Sequence, residues 1–350
     1  MKKLMILAGA ALVALVACNK SETVVKSADN EISFKAMTNV ATKADPELLG
    51  TNLPDSYTMR VSATSRDVNG TIETPKFFTG KTFAYNASHI WTTTPKVYWP
   101  LGGSSLDFLA LAFPSTAATV VDAATTWNTT NSADEVVITT FDPIATDLLY
   151  AAANSQKVAN AENGNASTAK AVPMHFQHAG AVIDIVVKSN LNAAVQVNSV
   201  KFGNLTKDAN ALADRKFTSL AQTGTLTINN ERNILSASWD YTQPTNVAYT
   251  SLFAFPSLSG VIETGATGID ADNIIVVPQP KLNFVIEYQM GSGSPFVASS
   301  DELVVTYNGL KGNWLAGHKY TYTITLNLYE IEVKEDVEAY IVEAEVYTIA

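Results

Sequence analysis

Beyond residue 30 the chain keeps a period of two. In Tyr320-Thr-Tyr-Thr-Ile-Thr-Leu-Asn-Leu328, Tyr320, Tyr322, Ile324, Leu326 and Leu328 share one face, and Thr321, Thr323, Thr325 and Asn327 the other. Successive side chains of a strand point to opposite faces, so such a segment buries one side and wets the other. Tyr57-Thr-Met-Arg-Val-Ser-Ala63 alternates in the same way. Leu106-Asp-Phe-Leu-Ala-Leu-Ala-Phe113 is more continuously apolar, as a central strand would be, and Pro114 ends it. Ala181-Val-Ile-Asp-Ile-Val-Val187 is a second buried candidate. Asn, Gly, Ser and Pro interrupt these runs at intervals of about ten residues, which predicts an all-β sandwich or barrel, not strands alternating with helices. No repeat of about 20–50 residues indicates a solenoid.

The start of the chain reads as an export signal. Met1-Lys2-Lys3 is positive, Leu4 to Val16 is apolar, and Leu15-Val16-Ala17-Cys18 precedes the polar run Asn19 to Thr23. A charged start, an apolar middle of about 7–15 residues and small residues before a cut define a secretory signal. The stretch falls short of the roughly 20 apolar residues of a membrane span. Leucine three before the cysteine and alanine one before it make a bacterial lipobox. On this reading residues 1–17 are the signal peptide, and Cys18 carries the lipid (palmitate among its acyl groups) as the mature N-terminus. The bland alternative is an ordinary signal with a chance cysteine. Residues 18–30 are a polar tether.

Cys18 is the single cysteine of 350 residues, so no disulfide forms within one chain and stability must come from core burial. Without the signal, 21 basic residues face 33 acidic ones, a net charge of −12. That balance argues against nucleic acid and against basic-patch binding to anionic lipid. The length suits two domains of about 100–200 residues each. Asn154 to Lys170, rich in Ala, Asn, Ser and Gly, is the best linker, so the domains are expected at 44–168 and 169–330. A single large sandwich with a long loop there is the alternative.

The sequence holds no recognisable catalytic motif. His175 and His178 read H-x-x-H, but positions three apart on a strand face opposite ways and cannot share a metal there. No H-E-x-x-H, G-x-S-x-G or phosphate-binding loop occurs. Asp270-Ala-Asp-Asn273 lacks the spaced ligand series of a calcium loop and reads as a surface turn. Distant carboxylate pairs for glycoside hydrolysis stay open. Trp91, Trp99, Trp127, Trp239 and Trp314 fit β-sandwich cores better than a sugar-stacking platform. The expectation is a protein that is not an enzyme, with no metal and no cofactor.

The two ends are more informative. In Glu31-Ile-Ser-Phe-Lys-Ala-Met37, Ile32, Phe34 and Ala36 share a face, which predicts a strand, and Asn39 to Pro46 reads as an exposed loop around Lys43. After Leu328 a further 22 β-prone residues remain. Ile331, Val333, Glu335 and Val337 alternate with Glu332, Lys334 and Asp336. Later, Tyr340, Val342, Ala344, Val346 and Thr348 share one face, opposite Ile341, Glu343, Glu345, Tyr347 and Ile349. An unpaired strand invites edge-to-edge association. Such a tail is either a donor strand for another chain or a hairpin strand of its own domain. The pattern alone does not choose.

Several motifs in order then resemble one family. They are Glu31-Ile-Ser-Phe-Lys-Ala36 with Ala41-Thr-Lys-Ala44, and Val97-Tyr-Trp-Pro100 with Leu106-Asp-Phe-Leu-Ala110 and Pro114. Asp147-Leu-Leu-Tyr-Ala151 follows, then Phe176-Gln-His178 with Ala181-Val-Ile-Asp-Ile185. Ile275-Val-Val-Pro-Gln279 and Trp314-Leu-Ala-Gly-His-Lys-Tyr320 complete the set. Behind a lipobox they resemble the fimbrillins, lipoprotein precursors of type V pili in Bacteroidales. The resemblance implies two β-sandwich domains with transthyretin-like (Greek-key) topology. It also implies an outer-membrane lipoprotein precursor whose first strand, residues 31–43, is removed by a trypsin-like protease. On this chain the cut falls between Lys43 and Ala44, where many relatives carry arginine. The groove vacated by Ile32, Phe34 and Ala36 is then filled by the C-terminal tail, 331–350, of another subunit, through Tyr340, Val342, Ala344, Val346 and Thr348. A cut loop together with a tail implies a stalk subunit, with tip or accessory roles open. The implied partners are other fimbrial subunits, the outer membrane through the lipid, and host or bacterial surface ligands, but no nucleic acid. The alternative is a surface lipoprotein that binds glycans or host ligands and never polymerises.

Overall fold

The computed structural model describes residues 30–339, except 40–48, 74–75, 87–89, 101–103, 129–133, 158–170, 210–211, 232–233, 271–272, 293–296, 299–302, 308–309 and 328–330. Strands dominate it. The first ten are β1 (Phe34–Asn39), β2 (Leu49–Asn52), β3 (Tyr57–Arg66), β4 (Phe78–Tyr85), β5 (Trp91–Thr92), β6 (Ser105–Pro114), β7 (Thr125–Trp127), β8 (Asp134–Phe141), β9 (Leu149–Gln156) and β10 (Val172–His178). A short helix, α1 (Ala118–Ala124), lies between β6 and β7. Then come β11 (Ala181–Ser189), β12 (Ala194–Phe202), β13 (Asn204–Lys207), β14 (Lys216–Thr218), β15 (Gly224–Glu231), β16 (Ile234–Asp240), β17 (Gly260–Ile262) and β18 (Ile269–Asp270). The last are β19 (Ile274–Val276), β20 (Phe284–Ser292), β21 (Val297–Ala298), β22 (Leu303–Tyr307), β23 (His318–Leu326) and β24 (Ile331–Ala339).

The N-terminal sheet closes on itself. Its strands are neighbours in the order β10-β9-β6-β3-β4-β5-β1, and β1 pairs back onto β10. Among the described residues β2 lies off this ring and pairs with β1 alone. The ring encloses a core that includes Phe34, Met59, Phe83, Trp91, Phe108 and Phe176.

The continuous apolar run in β6 follows from burial on both faces. Leu106, Phe108, Ala110 and Ala112 point into the ring. Leu109, Leu111 and Phe113 point outward into a second core, covered by the sheet β16-β15-β8-β7 and by Val121 of α1. A strand covered on both sides has no solvent face, so polar residues at alternate positions would be costly. Asp107 is the charged exception. Only 3% exposed, it accepts bonds from Arg66 Nε and, at 2.7 Å, from the Ser155 backbone N–H.

Sheet membership crosses the division expected at 168/169. β10 pairs with β1 and β9, and the β15–β16 hairpin pairs with β8 through Gly224↔Phe141 to Asn230↔Asp134. The expected linker also starts too early. β9 runs to Gln156, and its Asn154 exchanges amide bonds of 2.9 and 2.7 Å with Asn230. These pairings join segments remote in sequence and leave no local signature.

The C-terminal core lies between two sheets. One runs β18-β11-β23-β24 with β19 also on β11; the other runs β17-β12-β20-β21 with β22 also on β20. β11 and β23 pair in parallel from Val182↔Lys319 to Ser189↔Leu326. Tyr320, Tyr322, Ile324 and Leu326 are buried, the face predicted from their alternation. β10 passes to β11 through Ala179 and Gly180. There a side chain would meet Val276 O at 3.0 Å, so glycine permits the close approach.

Candidate functional site

β1 closes the ring, and its inward face is the one the alternation predicts. Ile32, Phe34 and Ala36 are fully buried, while Lys35 between them is exposed. The Phe34 ring meets Phe83 edge-on at 4.8 Å and Phe108 at 5.0 Å. Burying a phenylalanine or isoleucine side chain contributes about 1.5–3 kcal/mol each. β1 therefore stands in its groove by core burial as well as by ladder bonds.

Both edges of β1 are occupied. One edge runs parallel to β10, from Phe34↔Val172 to Thr38↔Phe176. The other meets Trp91 of β5 opposite Phe34, then β2 through Met37↔Asn52 and Asn39↔Leu49. Outside the strand proper, Ile32 N–H donates to Val97 O at 2.8 Å and Trp99 N–H to Asn30 O at 3.0 Å. The Val97-Tyr-Trp-Pro100 motif is thus a wall of the groove, and the Trp99 ring meets Phe108 at 5.8 Å. At the exposed rim Lys96 Nζ lies 2.6 Å from Glu31 Oε2, and that contact holds its pKa above the ordinary lysine value. The wall is not fully satisfied. Trp91 Nε1 and Thr93 Oγ1 are buried without a hydrogen-bond partner among the described residues. An unmet buried polar group costs about 1–3 kcal/mol.

Other motifs are architectural. Asp147, of the Asp147-Leu-Leu-Tyr-Ala151 motif, lies 2.8 Å from His178 Nδ1 and accepts from the Tyr57 hydroxyl at 3.4 Å. Burial, with Asp147 reinforcing it, raises the Tyr57 pKa. Gln279 bonds Ala221 N–H (3.0 Å) and carbonyl (3.1 Å), and its own carbonyl accepts from Trp314 N–H at 2.8 Å. Trp314 Nε1 donates to the Tyr322 hydroxyl at 2.7 Å. The motif residues tie strands together inside the cores.

His175 and His178 face opposite sides of β10, as their spacing requires; His178 is buried and His175 exposed. Among the described residues no three His, Cys, Asp or Glu side chains gather as a metal site. Trp91, Trp99 and Trp314 are buried and Trp127 and Trp239 partly so, which fits core roles. Arg60 is engaged by Asp122 at 2.9 and 2.5 Å, and Arg66 by Asp107. No described helix is long and apolar enough to cross a membrane.

Cys18, Lys43, Ala44, Tyr340, Val342, Ala344, Val346 and Thr348 lie outside the described residues. The first part of the tail lies within them. β24 pairs with β23 along its whole length, from Leu326↔Ile331 to His318↔Ala339. Glu335 contacts Lys281, and Val333 packs against the C-terminal core. The β10 partnership of β1, the role of β2 and the Tyr57–Asp147–His178 chain were not anticipated. Alternation of Val172, Met174, Phe176 and His178 marks β10 as a strand, but nothing local names its partner.

The fimbrillin-like family model matches residues 42–342, so the chain belongs to that family. Its fold is similar to that of a fimbrial protein from Bacteroides vulgatus ATCC 8482. The two are 14% identical, with a TM-score of 0.54, and the match covers 89% of this chain and 100% of that one. A candidate cell adhesion protein from Bacteroides ovatus ATCC 8483 is likewise similar, at 14% identity and a TM-score of 0.50, over 89% of this chain and 98% of that one. No curated protein matches the chain in sequence.

Proposed function

We propose that the protein is a non-catalytic structural subunit of a cell-surface fimbria, in the stalk, assembled by proteolysis-triggered strand exchange and serving adhesion. Lipid on Cys18 holds the precursor at the outer membrane. A cut between Lys43 and Ala44 frees β1, and Tyr340, Val342, Ala344, Val346 and Thr348 of another copy refill its groove. The observation that carries this reading is the position of β1. It closes the core-bearing ring, and its buried face of Ile32, Phe34 and Ala36 is an apolar slot of strand length. A strand that restores both ladder bonds and burial makes a joint of domain-core quality.

One observation favours the second reading, a surface lipoprotein that does not polymerise. β24 is paired at home throughout. On the first reading the donor is therefore confined to residues 340–350. The test is to delete 340–350 and cleave the precursor after Lys43. Strand exchange expects near-normal monomer melting and no SDS-resistant ladder. A ladder from the tail-less protein overturns the donor assignment and brings the surface-binding reading forward.

A further inference from the structure

We infer that β2 is part of the surface on which the incoming strand of a second copy docks, a flap that loses its partner when β1 leaves and regains one when the new strand enters. The inference rests on the strand-exchange reading above. It concerns the receiving subunit, where three observations converge.

The two edges of the groove are unequal. The β10 edge is anchored elsewhere, since Gln177 and His178 pair with Tyr150 and Leu149 of β9. On the opposite edge, Trp91 is likewise anchored by its pairing with Tyr85 of β4. When β1 is gone, β10 keeps a partner at its C-terminal end and β5 keeps one in β4. β2 does not. Its strand contacts, Met37↔Asn52 and Asn39↔Leu49, are both to β1, and the next residue, Leu53, donates its N–H to Ala36 O at 3.0 Å. Departure of β1 removes all three.

A four-residue strand without a neighbour does not hold its backbone, because no partner offsets the conformational entropy lost on ordering it. Leu53, 1% exposed and part of the ring core, loses its backbone anchor at the same moment. The donors and acceptors so freed are those a strand in the place of β1 requires on that edge. Pairing with β10 and Trp91 alone would leave the part of the incoming strand that takes the place of Met37 to Asn39 open on one side. With β2 folded back, both edges are covered. The occupant is thus an extended segment of a second copy, lying between β10 on one side and β5 and β2 on the other.

The test inserts a site-specific protease sequence between Lys43 and Ala44 of the full chain. Amide hydrogen exchange is followed in the precursor, the cleaved monomer and the polymer. Amides of residues 49–53 are expected to be protected in the precursor, to exchange about tenfold faster or more in the cleaved monomer, and to be protected again in the polymer. Those of β6 should stay slow in all three. Two results overturn the flap and leave strand exchange standing. One is a cleaved monomer that has shed β1 yet keeps 49–53 slow; the other is a polymer in which they stay fast. A cleaved protein that retains β1 and never assembles overturns both. As a second measure, Leu49→Gly together with Thr51→Gly should lower the temperature at which the SDS ladder dissociates. An unchanged temperature counts against the flap.

Discussion

The ring of Phe34 meets that of Phe108 edge-on, with 5.0 Å between centroids and 86° between planes. Phe34 belongs to the strand that closes the ring, and Phe108 to the strand buried on both faces. The strand proposed to leave is thus seated directly on the wall shared by two cores.

Phe34→Ala should destabilise the precursor by about 3–5 kcal/mol, the cost of emptying a large buried site. Lys35→Ala, on the exposed side of the same strand, should stay within about 0.5 kcal/mol. Urea unfolding of the uncleaved protein checks both. Equal effects would mean that β1 is not held by its inward face.

Cys18→Ala should abolish acyl labelling and outer-membrane retention, because the chain has no other thiol. Normal labelling of that variant would sink the lipobox.

Limited trypsin treatment should cut after Lys43 and leave a folded fragment that starts at Ala44. Arg60 and Arg66 sit in β3 and are engaged by carboxylates, which protects them. N-terminal sequencing of pilus-bound protein is the check, and a mature start at Cys18 would count against the cut.

Val346→Asp should block assembly, because an unpaired carboxylate in an apolar groove costs several kcal/mol. Tyr347→Asp, on the opposite face of the tail, should be milder. A one-residue slip in register would exchange the two outcomes, so the pair of variants reads the register as well. If both assemble like the parent, the tail does not enter the groove.

Burial raises the Tyr150 pKa to about 12, whereas the unfolded chain ionises this group near 10. The folded value is the higher one, so this contribution is complete below about pH 10 and is lost as pH rises toward 12. Tyr150→Phe should leave stability at pH 7 little changed and remove up to about 2–3 kcal/mol of alkaline destabilisation in that window. Urea midpoints at pH 7 and 11 test it. An equal gap between variant and parent at both pH values would reject the assignment.

How far the sequence spoke depended on the range of the interaction. The alternating faces of β1 and β23 and the double burial of β6 follow from residues within ten positions of one another, and each was legible. The closing of the ring was not, because Phe34 pairs with Val172 and Asp134 with Asn230, contacts that leave no pattern in either segment. β2 had no signature at all. Leu49-Gly-Thr-Asn52 is too short to alternate, and its strand conformation comes from its neighbour.

The parallel ladder between β1 and β10 also sets an order in time. β1 is made before β10, and it has no complete groove until β10 has arrived. Contacts between distant segments form slowly, because the loop between them must close before they repay it. The strand first in the chain is therefore among the last to dock. A strand that docks onto walls its neighbours have already built can be released with those walls still standing, which is what a replaceable part requires.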